Sequence, residues 1–189
     1  TTGFNNLADF MWGSQQTSED VVVSTGIVNW ISFMCNEQTF GYCGAGTGDY
    51  IRIDTLAYNR LNDTDFRKLE WVAPAGSPIA NKVSFVNKTY GASMPPMASV
   101  KFRPNQGEMD APSVAAATAF PVMRVEEMYL IEAEATAHTD AAKGKELLTA
   151  FMKTRDPQYS FAGTSTQEVV DECFLQKRIE LFGEGQIFF

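Results

Sequence analysis

Residues 124–138, RVEEMYLIEAEATAH, give the clearest secondary-structure signal in the chain. Their apolar and small side chains recur at the spacing of one helix face, namely Val125, Met128, Tyr129, Leu130, Ala133 and Ala137. Pro121 suits the first turn of such a helix. Backbone N–H groups in the first turn have no partner within the helix, so proline, which has no N–H, loses no hydrogen bond there. Since Ala133 and Ala137 are small, a neighbouring helix can approach this face closely. The stretch therefore predicts a helix that packs against a second helix.

Two further helices are predicted downstream. Thr139 and Asp140 are capping residues, and residues 141–153 then place four apolar side chains on one side, Leu147, Leu148, Phe151 and Met152. Pro157 interrupts the helical pattern, and Ser165 with Glu168 has the spacing of a capping box that opens a third helix over 166–182. The fold class is therefore mainly α, with a hairpin of the tetratricopeptide-repeat type plus a terminal helix.

Residues 1–120 are rich in glycine, proline, asparagine and serine and keep no helical period. β-Branched and aromatic residues cluster between turn formers in four places, which predicts short strands at 21–24, 50–58, 69–73 and 82–86. Four prolines in residues 93–113 predict a long surface loop. We divide the chain into a loop-rich region with short strands, 1–120, and a helical segment, 121–189, which together form one fragment of a larger domain.

Charge and composition limit the classes of function. The 15 Lys and Arg residues against 23 Asp and Glu residues give a net charge of −8, which argues against nucleic acid or an anionic membrane as a partner. No stretch approaches the roughly 20 apolar residues of a membrane-spanning helix. The three cysteines, Cys35, Cys43 and Cys173, are expected to be reduced and buried, with a Cys35–Cys43 disulfide as the alternative. No metal site and no cofactor are predicted.

Two separated motifs resemble the C-terminal part of the SusD/RagB family, the glycan-binding outer-membrane lipoproteins of Bacteroidetes-type bacteria. The first motif is an Arg-x-x-Glu helix that continues into an Ala-Glu-Ala stretch, here Arg124, Glu127, Glu132, Ala133, Glu134 and Ala135. The second precedes a Gly-Glu-Gly turn, here Arg178, Glu180, Leu181, Gly183, Glu184 and Gly185. One residue separates Arg178 from Glu180, where the family pattern has two. The segment TRDPQY lies between the motifs, in the order expected for the family.

The resemblance implies a non-catalytic role. Family members bind polysaccharide or oligosaccharide at the bacterial surface and deliver it to a SusC-like TonB-dependent transporter in the outer membrane. They carry a lipoprotein signal and lipid anchor and further tetratricopeptide-like helices, which are expected to lie outside this sequence. The chain is therefore expected to be a fragment, and its exposed helix faces are expected to self-associate. A protein-interaction scaffold with no glycan site of its own is the alternative.

A glycan site needs flat aromatic faces with hydrogen-bonding groups beside them. Residues 29–50 combine the two, and the candidate binding residues are Asn29, Trp30, Phe40, Tyr42, Asp49 and Tyr50. Trp12 and Trp71 lie in strand-like contexts and are expected to be structural. Asp65 is expected to position Arg67, and the motif residues Arg124, Glu127, Glu180 and Glu184 are expected to form salt bridges.

Catalysis is not predicted. A glycoside hydrolase would need two carboxylates across a cleft, and neither Asp49 with Asp54 nor Glu108 with Asp110 lies in a recognisable motif. There is no GxSxG, and His138 is expected to be a surface or capping residue rather than a base. The glutamates at 126, 127, 132 and 134 lack the Glu-x-x-His spacing of a carboxylate metal site.

Overall fold

The computed structural model describes residues 8–24 and 29–186, which divide into two compact units. The loop unit comprises residue 8 with residues 12–24, 29–55 and 69–122. The helical unit comprises residues 9–11, 56–68 and 123–186. Residues 56–68, from the loop-rich part of the sequence, thus belong to the helical unit.

The described residues contain eight α-helices and one two-stranded sheet, which confirms the mainly α class. The strands are β1, Phe10–Ser14, and β2, Phe120–Arg124. The short helices are α1, Val21–Ser24; α2, Trp30–Met34; α3, Thr55–Asn59; α4, Lys88–Ser93; and α5, Pro112–Ala115. The long helices are α6, Val125–Ala137; α7, Ala141–Lys153; and α8, Thr166–Glu180.

Helices α6 and α7 pack through small residues, as the sequence predicts. A Cβ atom placed on Gly144 would lie 2.6 Å from the Cβ of Ala137, so the crossing has no room for a larger side chain. The core of the helical unit is Leu130, Ala133, Ala137, Leu148, Phe151, Met152, Val169 and Cys173. Asp140 accepts a hydrogen bond from Lys143 N at 3.0 Å, and Ser165 and Glu168 form the predicted capping box. The three predicted helices are confirmed.

The beginning of α6 differs from the prediction. Pro121 lies in β2 rather than in a first helical turn, and the helix begins at Val125. Arg124 is still extended, with φ −122° and ψ 154°, and Val125 N donates to Asp9 O at 2.9 Å. Backbone pairing with the chain around β1 therefore holds these residues in a strand up to the first residue of the helix.

The four strands predicted within residues 21–86, all of which the structure describes, are wrong. Residues 21–24 form α1, because the Asp20 carbonyl accepts hydrogen bonds from Val23 N and Ser24 N at 2.9 and 2.8 Å. Residues 55–59 form α3, and residues 80–82 form a 3₁₀ turn. Arg52 and Trp71 each make only one isolated bridge. Local turns and caps override β-propensity here, since that propensity depends on the tertiary context.

Residues 93–113 are not a surface loop, contrary to the prediction. Ala98, Ser99, Val100 and Phe102 are buried, and Ala98 and Val100 belong to a hydrophobic cluster of the loop unit. Ser99 N donates to Ile51 O at 2.9 Å, and Val100 N donates to Glu70 O at 2.7 Å. Between Pro96 and Pro104 the backbone keeps its donors, so this stretch hydrogen-bonds to distant backbone within the loop unit.

The tryptophans and cysteines complete the comparison with the sequence. Trp71 is fully buried, as predicted, whereas Trp12 lies in β1 with 65% of its surface exposed. All three cysteines are free and buried, and burial raises the pKa of Cys43 to about 11. Among the described residues, no helix is long and apolar enough to cross a membrane.

Candidate functional site

A stacked pair of exposed aromatic rings lies on the surface of the loop unit. The rings of Phe33 and Tyr42 have centroids 4.7 Å apart and planes 15° apart. The side chains are 47% and 48% exposed, so each ring packs on the other and keeps part of its surface in solvent. Such a pair offers a flat apolar face to a ligand.

The end of α2 holds the two rings in register. Phe33 lies on α2, and the Tyr42 backbone N–H donates to Ser32 O at 2.7 Å. Gln38 Nε2 donates to Ile31 O and Ser32 O at 3.0 and 2.9 Å, which adds a side-chain link between the loop and the end of the helix. The loop after α2 therefore folds back onto the helix and places Tyr42 against Phe33.

Gly41 permits this close return of the loop. A Cβ atom at Gly41 would lie 2.5 Å from Ser32 O, a separation that a real side chain cannot adopt. The glycine is therefore required by the approach of backbone to backbone beside Tyr42.

Buried polar side chains anchor the rest of the loop. Asn36 Nδ2 donates to Ile51 O at 2.7 Å and Ser99 O at 2.9 Å, and its Oδ1 accepts from Ile51 N at 2.9 Å. Glu37 is fully buried and accepts from Val86 N at 2.6 Å. Burial raises the pKa of Glu37, while the positive charge of Arg103 opposes that effect. These contacts pre-form the loop that carries Tyr42.

The six sequence-predicted binding residues have different environments. Asn29 is buried and caps α2, accepting from Ser32 N at 3.0 Å. Trp30 is half-buried, with its ring edge-to-face against Phe102 at 4.8 Å. These two residues therefore have roles in the fold, and their contact with a ligand stays a prediction.

The other four predicted residues are divided between core and surface. Phe40 packs on the cluster that contains Val23 and Ile31, and Tyr50 packs on the cluster that contains Val83 and Met94. Tyr42 and Asp49 are exposed. Of the predicted aromatics, Tyr42 is thus the one whose ring is presented on the surface.

Phe33 was missed by sequence reasoning. It lies within the apolar run WISFM of α2, where a phenylalanine is normally read as core. The signal that could have identified it is helix geometry, since the buried residues Ile31 and Ser32 leave position 33 on the outer face.

Two of the carboxylates considered for catalysis, Glu108 and Asp110, have structural partners. Glu108 Oε1 accepts from the backbone N–H of Asp110 and Ala111 at 2.9 and 3.2 Å. Asp110 Oδ1 accepts from Thr39 Oγ1 at 2.6 Å. These are the contacts of a turn rather than of two carboxylates facing across a cleft. Within residues 8–24 and 29–186, no three His, Cys, Asp or Glu side chains are placed to hold a metal ion.

The helical unit contains a buried network of arginines and carboxylates built from the motif residues. Arg124 Nε and Nη2 donate to the two carboxylate oxygens of Glu184 at 2.7 and 2.9 Å, and Nη2 also donates to Glu180 O at 2.9 Å. Burial alone would lower the pKa of Arg124, but its hydrogen bonds with Glu184 outweigh that effect and raise the pKa. The expected role of Glu184 in holding the final turn is confirmed.

Arg67 and Arg155 extend the network around Glu180. Arg67 Nη1 lies 3.2 Å from Glu180 Oε2, and Arg155 Nη2 lies 3.0 Å from Glu180 Oε1. Arg67 also pairs with Asp65 at 2.7 Å, which confirms that Asp65 positions it. Paired and hydrogen-bonded in this way, the buried charges avoid the penalty of an isolated ion.

The remaining motif residues have varied surroundings. The spacing of Arg124 and Glu127 suggests that the two residues pair, and this prediction is wrong for the described residues. Arg124 instead forms ion pairs with Glu126, at 3.1 Å, and with Glu184. Glu134 pairs with Lys177. Arg178 is exposed on α8. Gly183 and Gly185 have φ values of 76° and 90°, which explains the glycines on either side of Glu184.

Comparison with known proteins identifies the class to which this fold and its motifs belong. The chain matches the profile of the SusD family over residues 32–189. That is more than half of the sequence, so the chain belongs to the SusD family, as the two motifs indicate.

A structural comparison gives the same fold. A SusD-like carbohydrate-binding protein from Bacteroides vulgatus, known from its crystal structure, is similar with a TM-score of 0.62 and 22% sequence identity. The similarity covers 97% of this chain and 34% of that protein, so the chain spans about a third of its length. No curated protein matches the sequence.

Proposed function

We propose that this chain is part of a protein that binds polysaccharide or oligosaccharide without catalysis. The stacked pair of Phe33 and Tyr42 carries the proposal, because the apolar C–H face of a sugar ring packs on an exposed aromatic face. Membership of the SusD family supports it, as does the carbohydrate binding stated for the Bacteroides vulgatus protein.

The construction of the loop fits a binding site that exists before the ligand arrives. Ser32, Gln38 and Asn36 fix the backbone on both sides of the rings through buried hydrogen bonds. A pre-ordered site loses little conformational entropy on binding, which favours affinity from a small contact area. Asp49, exposed in the same loop region, is available as a hydrogen-bond acceptor for sugar hydroxyls.

We further propose where the whole protein acts. It is a surface lipoprotein of the bacterial outer membrane that delivers captured glycan to a SusC-like TonB-dependent transporter. This part of the proposal rests on family membership alone. It predicts that the full-length protein co-purifies with such a transporter from outer membranes, and recovery without any transporter would contradict it.

Native electrophoresis through gels that contain starch, levan, xylan, pectin or mucin glycans tests glycan binding. At least one polysaccharide is expected to retard the wild-type chain, with the retardation lost in Phe33→Ala and Tyr42→Ala. Tyr90→Ala is the matched control, because Tyr90 is also an exposed aromatic of the loop unit but lies on α4. A wild-type chain that no polysaccharide retards would overturn the proposal.

A further inference from the structure

A groove of about 440 Å³ lies along α6 and α7, within the helical unit. Its apolar walls are formed by Val125, Tyr129, Leu147, Ala150 and Phe151. Tyr129 is 52% exposed, and its ring stacks on Phe151 with centroids 5.8 Å apart and planes 27° apart. The sequence predicts Tyr129 on the packed face of its helix, and the structure instead presents this ring to solvent.

The groove also has polar groups, Glu126, Glu132, Thr154 and Arg155. Glu126 and Arg155 lie in contact at 3.1 Å, and Arg155 places its guanidinium 4.5 Å from the centre of the Phe151 ring. Glu126 Oε2 is buried and lies 3.1 Å from Arg124 Nη1 without meeting hydrogen-bond geometry, so this oxygen keeps acceptor capacity. Glu132 is exposed.

We propose that this groove is a second saccharide site, in which a sugar ring stacks on Tyr129. Its hydroxyl groups are bound by the exposed carboxylate of Glu132. Thr154 and Arg155 hydrogen-bond to each other and to neighbouring protein groups, and they form the polar wall beside the sugar. The proposal rests on the proposed glycan-binding function and adds a site, in the helical unit, to the pair of Phe33 and Tyr42 in the loop unit.

The chemistry of the lining favours a sugar over an apolar helix as the occupant. A helix docked by its apolar face would cover the exposed carboxylate of Glu132, and removing that charge from water without a partner costs free energy. A sugar ring has one face of C–H groups for Tyr129 and a rim of hydroxyls that both donate and accept hydrogen bonds. The volume lies within the ~300–1,000 Å³ range of small-ligand sites.

The test uses the polysaccharide that retards the wild-type chain, with dissociation constants taken from mobility against polysaccharide concentration. Tyr129→Ala is expected to weaken binding about tenfold, the scale of one lost aromatic contact. Tyr129→Phe, which keeps the ring, and Ile131→Ala, an exposed residue of α6 outside the groove, are expected to leave it unchanged. Glu132→Ala is expected to weaken binding without disturbing the packed rings.

The possible outcomes separate the two proposals. If Tyr129→Ala and Glu132→Ala bind like the wild type while Tyr42→Ala loses binding, glycan binding stands and the second site is overturned. If no polysaccharide retards the wild type, both proposals fail. If sedimentation shows a wild-type dimer that Tyr129→Ala converts to monomer, a second copy covers the groove and the saccharide site is again overturned.

Discussion

Arg124 and Glu184, which are 60 residues apart, form a buried two-point ion pair with contacts of 2.7 and 2.9 Å. The pair joins the first residue before α6 to the Gly-Glu-Gly turn after α8, and the Glu184 side chain is fully buried. Each of the two family motifs thus contributes one partner. Their joint presence in the sequence has a physical cause, since the loss of either residue removes a two-point contact from a charge that stays buried.

Removing either partner is expected to destabilise the helical unit strongly. Arg124→Ala or Glu184→Ala should lower the free energy of unfolding by about 3–5 kcal/mol, because the other charge stays buried. Chemical denaturation of both single variants and the double variant measures this. The two losses should be far from additive, with an interaction energy of about 0.5–3 kcal/mol.

The exposed pair of Lys143 and Glu146, 2.9 Å apart, is the matched control. Lys143→Ala should change stability by less than about 1 kcal/mol, as for other surface ion pairs. Additive losses at Arg124 and Glu184, of the size found for the control, would contradict the role assigned to their pairing.

Acid should destabilise the helical unit through Glu180. Burial would raise the pKa of Glu180, but hydrogen bonds from Arg155 and the charge of Arg67 lower it below its ordinary value of 4.5. The unfolded chain then takes up this proton at a higher pH than the folded chain does. The stability that Glu180 confers is therefore fully present at neutral pH and is lost as the pH falls below 4.5 towards the depressed value.

Denaturation as a function of pH distinguishes the contribution of Glu180 to acid destabilisation from that of the other carboxylates. Glu180→Gln should be less stable than the wild type at pH 7 and should lose less stability on acidification, so the two curves converge. Glu146→Gln, at an exposed site, should follow the wild-type curve. Parallel curves for Glu180→Gln and the wild type would show that this carboxylate is not the group titrating.

Gly144→Ala tests the close crossing of α6 and α7. Alanine is the better helix former by about 1 kcal/mol, yet its Cβ would lie 2.6 Å from Ala137 Cβ and force the helices apart. Overpacking costs about 1–3 kcal/mol, so the net effect on the free energy of unfolding should be a loss. Ala142 is exposed on the same helix, so Ala142→Gly measures the effect of helix propensity on stability without a change in packing. A Gly144→Ala variant more stable than the wild type would contradict the close packing of α6 and α7 at this position.

Gly41→Ala tests whether the return of the loop places Tyr42. Because the added Cβ would lie 2.5 Å from Ser32 O, the loop should shift and glycan retardation should fall as it does in Tyr42→Ala. Gly48→Asn is the control, since Gly48 has open space around it, and asparagine tolerates its φ of 79°. Unchanged retardation in Gly41→Ala would show that Gly41 is not needed to position Tyr42 for glycan binding.

The helical part of the fold could be predicted from sequence because its signals are local. The capping box of Ser165 and Glu168 and the small residues facing Gly144 report helix ends and crossings directly. In the loop unit the same reasoning misplaced every strand within residues 21–86. Segments such as 97–102 hydrogen-bond to backbone that is distant in the sequence, and sequence alone does not reveal such partners.

The candidate site was only partly predictable. Tyr42 was found because it lies among glycines in a loop, but its stacking partner Phe33 lies in an apolar helical run typical of core. Tyr129 was assigned to a packed face, since the helical period does not distinguish a covered face from an open groove. The pairing of Arg124 with Glu184 was hidden by sequence distance, although both residues belonged to recognised motifs.

The most direct test of glycan binding is a glycan array probed with the labelled wild-type chain and with a Phe33→Ala, Tyr42→Ala double variant. The account predicts that the wild type binds at least one class of glycan and that the double variant, with an unchanged thermal unfolding curve, loses that signal. Equal binding by the two proteins would place the site away from the stacked pair. A wild-type chain that binds no glycan would contradict the central claim.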